Sequence, residues 1–70
     1  MELKPNQIYR HFKGKNYVIL FIAIQTETRE ELVIYYEESK PELVFARPKE
    51  MFLGTKILNR KEVKRFELIN

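Results

Sequence analysis

The chain has 70 residues, a formal net charge of +3, no cysteine and one histidine. This length indicates one domain, and the lack of cysteine excludes disulfide bonds as its stabilising element. A single histidine with no aspartate excludes a structural zinc site, and the longest apolar run, eight residues at 17–24, is too short for a transmembrane helix, which needs about 20.

Short runs of β-branched and aromatic residues alternate with charged turns, which predicts strands and no long helix. The first two strands are predicted at 7–12 and 17–26, and Gly14 supplies the unusual backbone angle of the turn between them. Asn6, before the first strand, tolerates a positive φ. The second strand is apolar on both faces, so both faces are expected to be covered, as in a barrel strand that bends between two sheets.

Further strands are predicted at 31–36 and 42–47, with an exposed turn at 37–41 between them. A short strand at 57–58 and a last strand at 63–68 follow. On the last strand, alternation predicts that Phe66 and Leu68 point inward and that Arg65 and Glu67 point outward.

One helical turn is predicted between Pro48 and Gly54, because proline suits the start of a helix and glycine the residue after its end. Met51, Phe52 or both would then cover the end of the core. These elements predict an all-β fold, a small SH3-like or Tudor-like antiparallel barrel of five or six short strands, spanning 1–70 with its core at about 5–68. An OB-fold is the alternative, although it usually needs more residues.

The sequence contains few residues that are suited to catalysis. A catalytic triad would need Ser39 and His11, the only serine and the only histidine, to meet without an aspartate to orient the imidazole. An enzyme would need a pocket that contains His11 and at least one glutamate. The glutamates at 27–31 and 37–42 form solvated turns, so neither a metal site nor a cofactor is predicted, and the expected protein is not an enzyme.

Two arginines on apolar strand faces are the main candidates for ligand contact. Alternation groups Arg10 with Ile8 and Phe12 on what is expected to be the core-facing side, and Arg47 with Phe45. The two guanidinium groups could together grip a carboxylate or phosphate. Alternatively, each could neutralise a structural glutamate.

Tyr35 and Tyr36 point to opposite faces, so one of them is expected to be more exposed. An exposed tyrosine beside Tyr9 or Tyr17 would form a platform for Pro-rich peptides, methylated lysines or unstacked bases. The alternative is an amphipathic tyrosine at a barrel rim. The predicted ligand-binding residues are Tyr9, Arg10, His11, Tyr35 and Arg47.

Charge is distributed unevenly along the chain. Residues 25–46 carry two cations and six glutamates, a net −4, whereas residues 47–65 carry seven cations and two glutamates, a net +5. The basic segment either pairs with the acidic one or meets a phosphate backbone. The predicted nucleic-acid contacts are Lys56, Arg60, Lys61, Lys64 and Arg65.

These observations favour a non-catalytic binding module for a peptide, a protein or a small anion. A single-stranded nucleic-acid binder is the first alternative, and an enzyme or enzyme accessory is the second. The N-terminal residues lack the apolar stretch of a signal peptide, so the cytoplasm is the expected location and no membrane partner is expected. Edge strands allow a monomer or a weak homodimer.

Four segments taken together resemble a bacterial family of domains of unknown function, the one numbered sixteen-fifty-three. They are YRHFKG at 9–14, ELVIY at 31–35, RPKEMF at 47–52 and VKRF at 63–66. The resemblance covers roughly residues 5–67 and implies a compact, stand-alone bacterial domain without supplying an activity.

The chain departs from the family pattern at three places. Gln25 stands before Thr26 where the family has histidine, which weakens any site that needs two histidines. Phe45 replaces tryptophan and so lacks an indole N–H. Asn59-Arg60 replaces an Asp-Gly turn, and an altered turn is expected because arginine resists a positive φ.

Overall fold

The fold is all-β, as predicted, and the computed structural model describes residues 3–70. Its elements are β1 (Ile8–His11), β2 (Asn16–Ile24), β3 (Glu31–Glu37), β4 (Lys40–Pro48), α1 (Lys49–Phe52), β5 (Thr55–Leu58), β6 (Lys61–Lys64) and β7 (Phe66–Leu68). Antiparallel strands form a five-stranded sheet in the order β4-β3-β2-β1-β7, and β5 and β6 form a separate hairpin. Met1 and Glu2 of the predicted domain lie outside the described residues.

The five-stranded sheet is open, so the predicted closed barrel is wrong. Strands β4 and β7 are its two edges, and no backbone pairing joins them within residues 3–70. The predicted single last strand is also wrong, because a bend at Arg65 divides it. Strand β6 pairs with β5, whereas β7 pairs with β1. A change of pairing partner therefore takes place at one residue.

A bulge in β2 determines which of its side chains reach the core. The register against β3 shifts between Ile19 and Phe21, and an extra residue of this kind moves the following side chains to the other face. Ile19 is buried and Ile22 packs against the core, whereas Phe21 is 53% exposed on the outer face. The expectation that both faces of β2 are covered is therefore wrong at Phe21.

The turns follow the backbone chemistry of their residues. Asn6 and Gly14 take positive φ angles of 71° and 103°, as predicted. Asn59 and Arg60 have φ angles of 51° and 66°, the pattern of a two-residue type I′ hairpin turn, so Arg60 adopts the angle that it was expected to resist. The predicted turn at 37–41 is shorter than expected, because Pro41 already belongs to the edge strand β4, where proline is tolerated.

The core lies on the inner face of the sheet, beneath α1. Phe52 of α1 stacks on Phe66 of β7 with ring centroids 4.1 Å apart and planes 6° from parallel. Pro48 and Gly54 flank α1 as predicted. Phe52 is fully buried and Met51 is 50% exposed, so Phe52 alone covers the core. The buried apolar residues are Leu3, Tyr9, Ile19, Val33, Tyr35, Phe52 and Phe66.

We expect Phe52→Ala to unfold the protein or to leave it marginally stable. Removing a buried phenylalanine costs about 3–5 kcal/mol, which is roughly the whole margin that a core of this size supplies. Met51→Ala, one residue earlier on the same helical turn, should change the free energy of unfolding by less than about 0.5 kcal/mol. Urea denaturation followed by circular dichroism measures both, and equal midpoints for the two variants would contradict the assigned role of Phe52.

Candidate anion-binding site

Arg47 lies near the end of the edge strand β4 and faces the inner side of the sheet, because its register partner Val33 is fully buried. Its Nε donates a hydrogen bond to the Tyr35 hydroxyl at 3.1 Å. Its guanidinium carbon lies 5.8 Å from the centre of the Phe66 ring on β7. These contacts link the two edge strands through side chains. Within residues 3–70, no ion pair or further hydrogen bond holds the terminal nitrogens of Arg47.

His11 ends β1 directly opposite Phe66. Its half-buried ring meets the Phe66 ring edge-on, with centroids 4.9 Å apart, and lies 4.4 Å from the ring of Phe12. The backbone N–H of Lys13 donates to His11 Nδ1 at 3.1 Å. In the neutral imidazole the proton is therefore on Nε2, which remains available as a donor.

Arg65 occupies the bend between β6 and β7. Its backbone N–H donates to the carbonyl of Gly54, and its own carbonyl accepts from the N–H of Phe12, both at 3.0 Å. These bonds fix the backbone of Arg65 beside β1. The side-chain Nε of Arg65 is buried and has no hydrogen-bond partner among the described residues, which is unusual for a charged group.

Positive charge surrounds His11. Burial lowers the pKa of His11 below its ordinary value of 6.5, and Arg47, Lys13, Arg65 and Lys56 lower it further, in that order. Each of these four charges is a cation. We use the term cationic site for the side chains of His11, Arg47, Arg65 and Lys56; Lys13 is left out because its ammonium group lies over the Phe12 ring, 5.9 Å from its centre.

The described ion pairs lie elsewhere. Lys15 approaches Glu37 at 3.6 Å and Lys49 approaches Glu31 at 2.9 Å. At Glu37, a hydrogen bond from the Ser39 hydroxyl at 2.8 Å holds the pKa of the carboxyl below its usual value, burial opposes this shift, and Lys15 adds to it. The chain thus neutralises a carboxylate where it buries one.

A cleft opens between the β1–β2 turn and the β5–β6 hairpin. Its lining brings His11 together with Glu62 and Glu67, so it meets the geometric condition that the enzyme alternative sets. Glu62 Oε2 accepts a hydrogen bond from the Thr55 hydroxyl at 2.9 Å. Within the described part of the chain, no hydrogen bond joins His11 to either carboxylate. The remaining lining residues are Arg10, Phe12, Gly14, Val63 and Lys64.

The structure separates the two arginines that the sequence placed together. Arg10 is exposed and donates through Nε to the Asn16 side chain at 3.2 Å, so the prediction that it faces the core is wrong. It lies between Tyr9, which is buried, and half-buried His11, on the opposite face of the sheet from Arg47. The two guanidinium groups therefore do not bind one anion together.

The structure buries two of the tyrosines from which an aromatic platform was predicted. Tyr35 is 4% exposed and Tyr9 is 3% exposed, so neither ring offers a surface to a ligand. Burial raises the pKa of the Tyr9 hydroxyl. Tyr35 takes part in the site through its hydroxyl, which accepts the hydrogen bond from Arg47. Tyr36 lies on the outer face and is half-buried.

Sequence reasoning assigned Arg65 and Lys56 to a nucleic-acid surface, and both also lower the pKa of His11. The expectation that Arg65 points outward is wrong for its Nε, which is buried. The net positive charge of residues 47–65 indicated a basic surface. It could not show which of these cations lie close to His11. Arg60, Lys61 and Lys64 are exposed on the β5–β6 hairpin, as the nucleic-acid alternative requires.

No group of three or more His, Cys, Asp or Glu side chains in residues 3–70 is arranged to hold a metal ion. The one helix in that range, α1, has four residues and is far too short to cross a membrane.

The lowered pKa of His11 predicts a loss of stability in mild acid. The unfolded chain binds a proton near pH 6.5 and the folded chain only at lower pH, so the free energy of unfolding falls as the pH drops from about 6.5 to the folded pKa. His11→Gln should lack this component. Urea denaturation between pH 7.5 and 5 compares the two proteins, and parallel pH profiles would contradict the prediction.

The comparisons with known proteins agree with this fold. A family model described as a protein of unknown function (DUF1653) matches residues 7–68. A crystal structure of a DUF1653 protein from Bordetella bronchiseptica is similar, with 26% identity, a TM-score of 0.78, and coverage of 97% of this chain and 88% of that one. No curated protein matches significantly. The match over nearly the whole chain shows that this protein belongs to the DUF1653 family.

Proposed function

We propose that the chain is a non-catalytic binding module whose ligand is a small anion held at the cationic site. The observation that carries this proposal is the approach of Arg47 and His11 to the same Phe66 ring, at 5.8 and 4.9 Å, with the terminal nitrogens of Arg47 unpaired within residues 3–70. Arg65 and Lys56 add positive charge that acts on His11. A bound anion would supply the missing negative charge.

The energetics of like charges support a ligand. Cations brought together beside a half-buried ring repel one another, and the repulsion is stronger there than in bulk water. Elsewhere the chain pairs cations with its own carboxylates, as in the contacts of Lys15 with Glu37 and of Lys49 with Glu31. A site that served stability alone would gain from a glutamate in the same way. An anion reverses the sign of the interaction with every member of the cationic site.

Arg47 is pre-organised to receive such an anion. Its Nε is held by Tyr35 and its guanidinium plane lies near the Phe66 ring, so the side chain has already lost much of its rotational freedom. The two terminal nitrogens form the fork that binds carboxylate or phosphate through two parallel hydrogen bonds. Arg65, whose buried Nε lacks a partner within residues 3–70, adds positive charge nearby.

The finer predictions remain open to test. A protein or peptide partner would satisfy the same site through a carboxylate. The likeness to SH3-like and Tudor-like domains, the cytoplasmic location and the state as a monomer or weak homodimer stay predictions. The enzyme alternative rests on the cleft that joins His11 with Glu62 and Glu67.

A single-stranded nucleic acid is the second candidate ligand, favoured by the exposed β5–β6 hairpin. Lys56 on β5, Arg60 in the turn, and Lys61 and Lys64 on β6 are all exposed. Ile57, beside the turn, is 68% exposed and offers an apolar contact for a base. Cations and apolar surface on one projecting element are typical of surfaces that bind single strands.

We expect inorganic pyrophosphate at low ionic strength to shift amide resonances at residues 11, 47, 65 and 66 of isotope-labelled protein. Arg47→Gln should weaken binding about tenfold or more, since a hydrogen bond to a charged group contributes about 1.5–3 kcal/mol. Arg29→Gln removes the same charge from the exposed β2–β3 turn and should bind nearly as well as the parent protein. Equal losses in both variants, or shifts that do not cluster at the cationic site, would refute the proposal.

For the second candidate, a random single-stranded oligonucleotide should bind at about 50 mM salt and weaken steeply by about 200 mM, because phosphate contacts release counterions. The double substitution Arg60→Gln and Lys61→Gln should reduce the salt slope by about 1.4, with Arg29→Gln, in the exposed β2–β3 turn, as the control of surface charge. A slope that both variants leave unchanged would remove the hairpin as a nucleic-acid surface.

A further inference from the structure

We infer that the anion is a phosphate monoester attached to a planar ring, as in a mononucleotide, with the phosphate on the cationic site and the ring on Phe45. This inference rests on the proposed function and narrows its ligand. It depends on two independent features: the charge and number of the donors, and a partly exposed aromatic ring two residues from Arg47 on the same strand.

The donors at the site suit phosphate better than carboxylate. Arg47, Arg65 and Lys56 carry three positive charges, whereas a carboxylate carries one negative charge. A phosphate monoester carries about −1.5 to −2 at pH 7 and has three strong acceptor oxygens. A tetrahedral group therefore matches the charge of the site more closely than a planar one does.

The available donors also come from two different strands. Arg47 on β4 has terminal nitrogens without a partner within residues 3–70, and His11 on β1 keeps Nε2 as a donor because the N–H of Lys13 donates to Nδ1. Both side chains lie near the Phe66 ring, with centre distances of 5.8 and 4.9 Å. Several donors beside one ring suit a phosphate monoester, which has three strong acceptor oxygens.

Phe45 provides a surface for the rest of the ligand. It precedes Arg47 by two residues on the same face of β4, opposite Tyr35 in the register. Its ring lies 5.6 Å from that of Tyr35, whose hydroxyl holds Arg47, and 6.3 Å from the ring of Tyr17. Yet Phe45 is 39% exposed, so part of an aromatic ring remains open beside the phosphate donors.

An exposed aromatic ring at this place is suited to stacking. Bases stack on aromatic side chains whatever their sequence, because every base has a π-face. Strand β4 is an edge of the sheet within residues 3–70, so no neighbouring strand lies beyond Phe45 and Arg47. Arg47 can bind a phosphate, and Phe45, two residues earlier on the same edge strand, can stack on a ring. This pair favours a compact ligand that carries both a phosphate and a planar ring.

The test compares adenosine 5′-monophosphate, ribose 5-phosphate and adenosine by resonance titration of the labelled protein at low ionic strength. The nucleotide should bind about tenfold more tightly than the sugar phosphate, as expected from one stacked base, and adenosine should bind most weakly. Phe45→Leu keeps an apolar side chain against the core and should remove the advantage of the nucleotide. Phe21→Leu makes the same change on the outer face and should leave that advantage intact.

The results distinguish nucleotide binding from binding of small anions in general. Equal affinity for the nucleotide and the sugar phosphate, or an advantage that survives Phe45→Leu, overturns the inference and leaves anion binding in place. If pyrophosphate and both phosphate esters fail to shift the cationic site, the inference and the proposed function fall together. A tenfold advantage that Phe45→Leu alone removes supports both.

Discussion

The stacked rings of Phe52 and Phe66 are the contact on which the rest of the structure depends. The five-stranded sheet does not close by hydrogen bonds, and a chain of this size has little apolar surface to spare. One helical turn between Pro48 and Gly54 places Phe52 against the inner face. There the rings of Tyr9 and Tyr35 contact it edge-on, with centroid distances of 5.2 and 5.3 Å. The stack therefore fixes α1, the inner face and the edge strand β7 in one contact.

The same stack supports the cationic site, since the Phe66 ring that stacks on Phe52 also lies near Arg47 and His11. The aromatic core thus supplies both folding energy and a rigid base for the charges. A rigid base matters because unpaired cations on flexible stems would move apart into water. Here Tyr35 and the backbone bonds of Arg65 hold two of them in place. Stability and ligand binding therefore rest on overlapping residues.

Local sequence patterns predicted most strands, turns and the helical turn. The features that they missed depend on which strands pair with each other. Pro48, Gly54 and Gly14 act through their own backbone preferences, so the helical turn and the first hairpin could be read from the sequence. Alternation also separated Arg10 from His11 correctly. It could not tell which side of β1 is buried, because apolar residues occur on both sides. The approach of Arg65 to His11 depends on the bend that redirects β7 to β1.

The opening between the edge strands explains why the charges gather there. In a closed barrel, β4 and β7 would pair, and the ladder would cover the space that Arg47 spans toward Phe66. In this chain side chains bridge the gap, and polar groups can enter it without disrupting a hydrogen-bonded ladder. Edge strands ordinarily invite pairing with other chains, and Pro41 together with the register shift near Glu37 limits this on β4. An edge that resists another strand but exposes a guanidinium fork is suited to a small ligand.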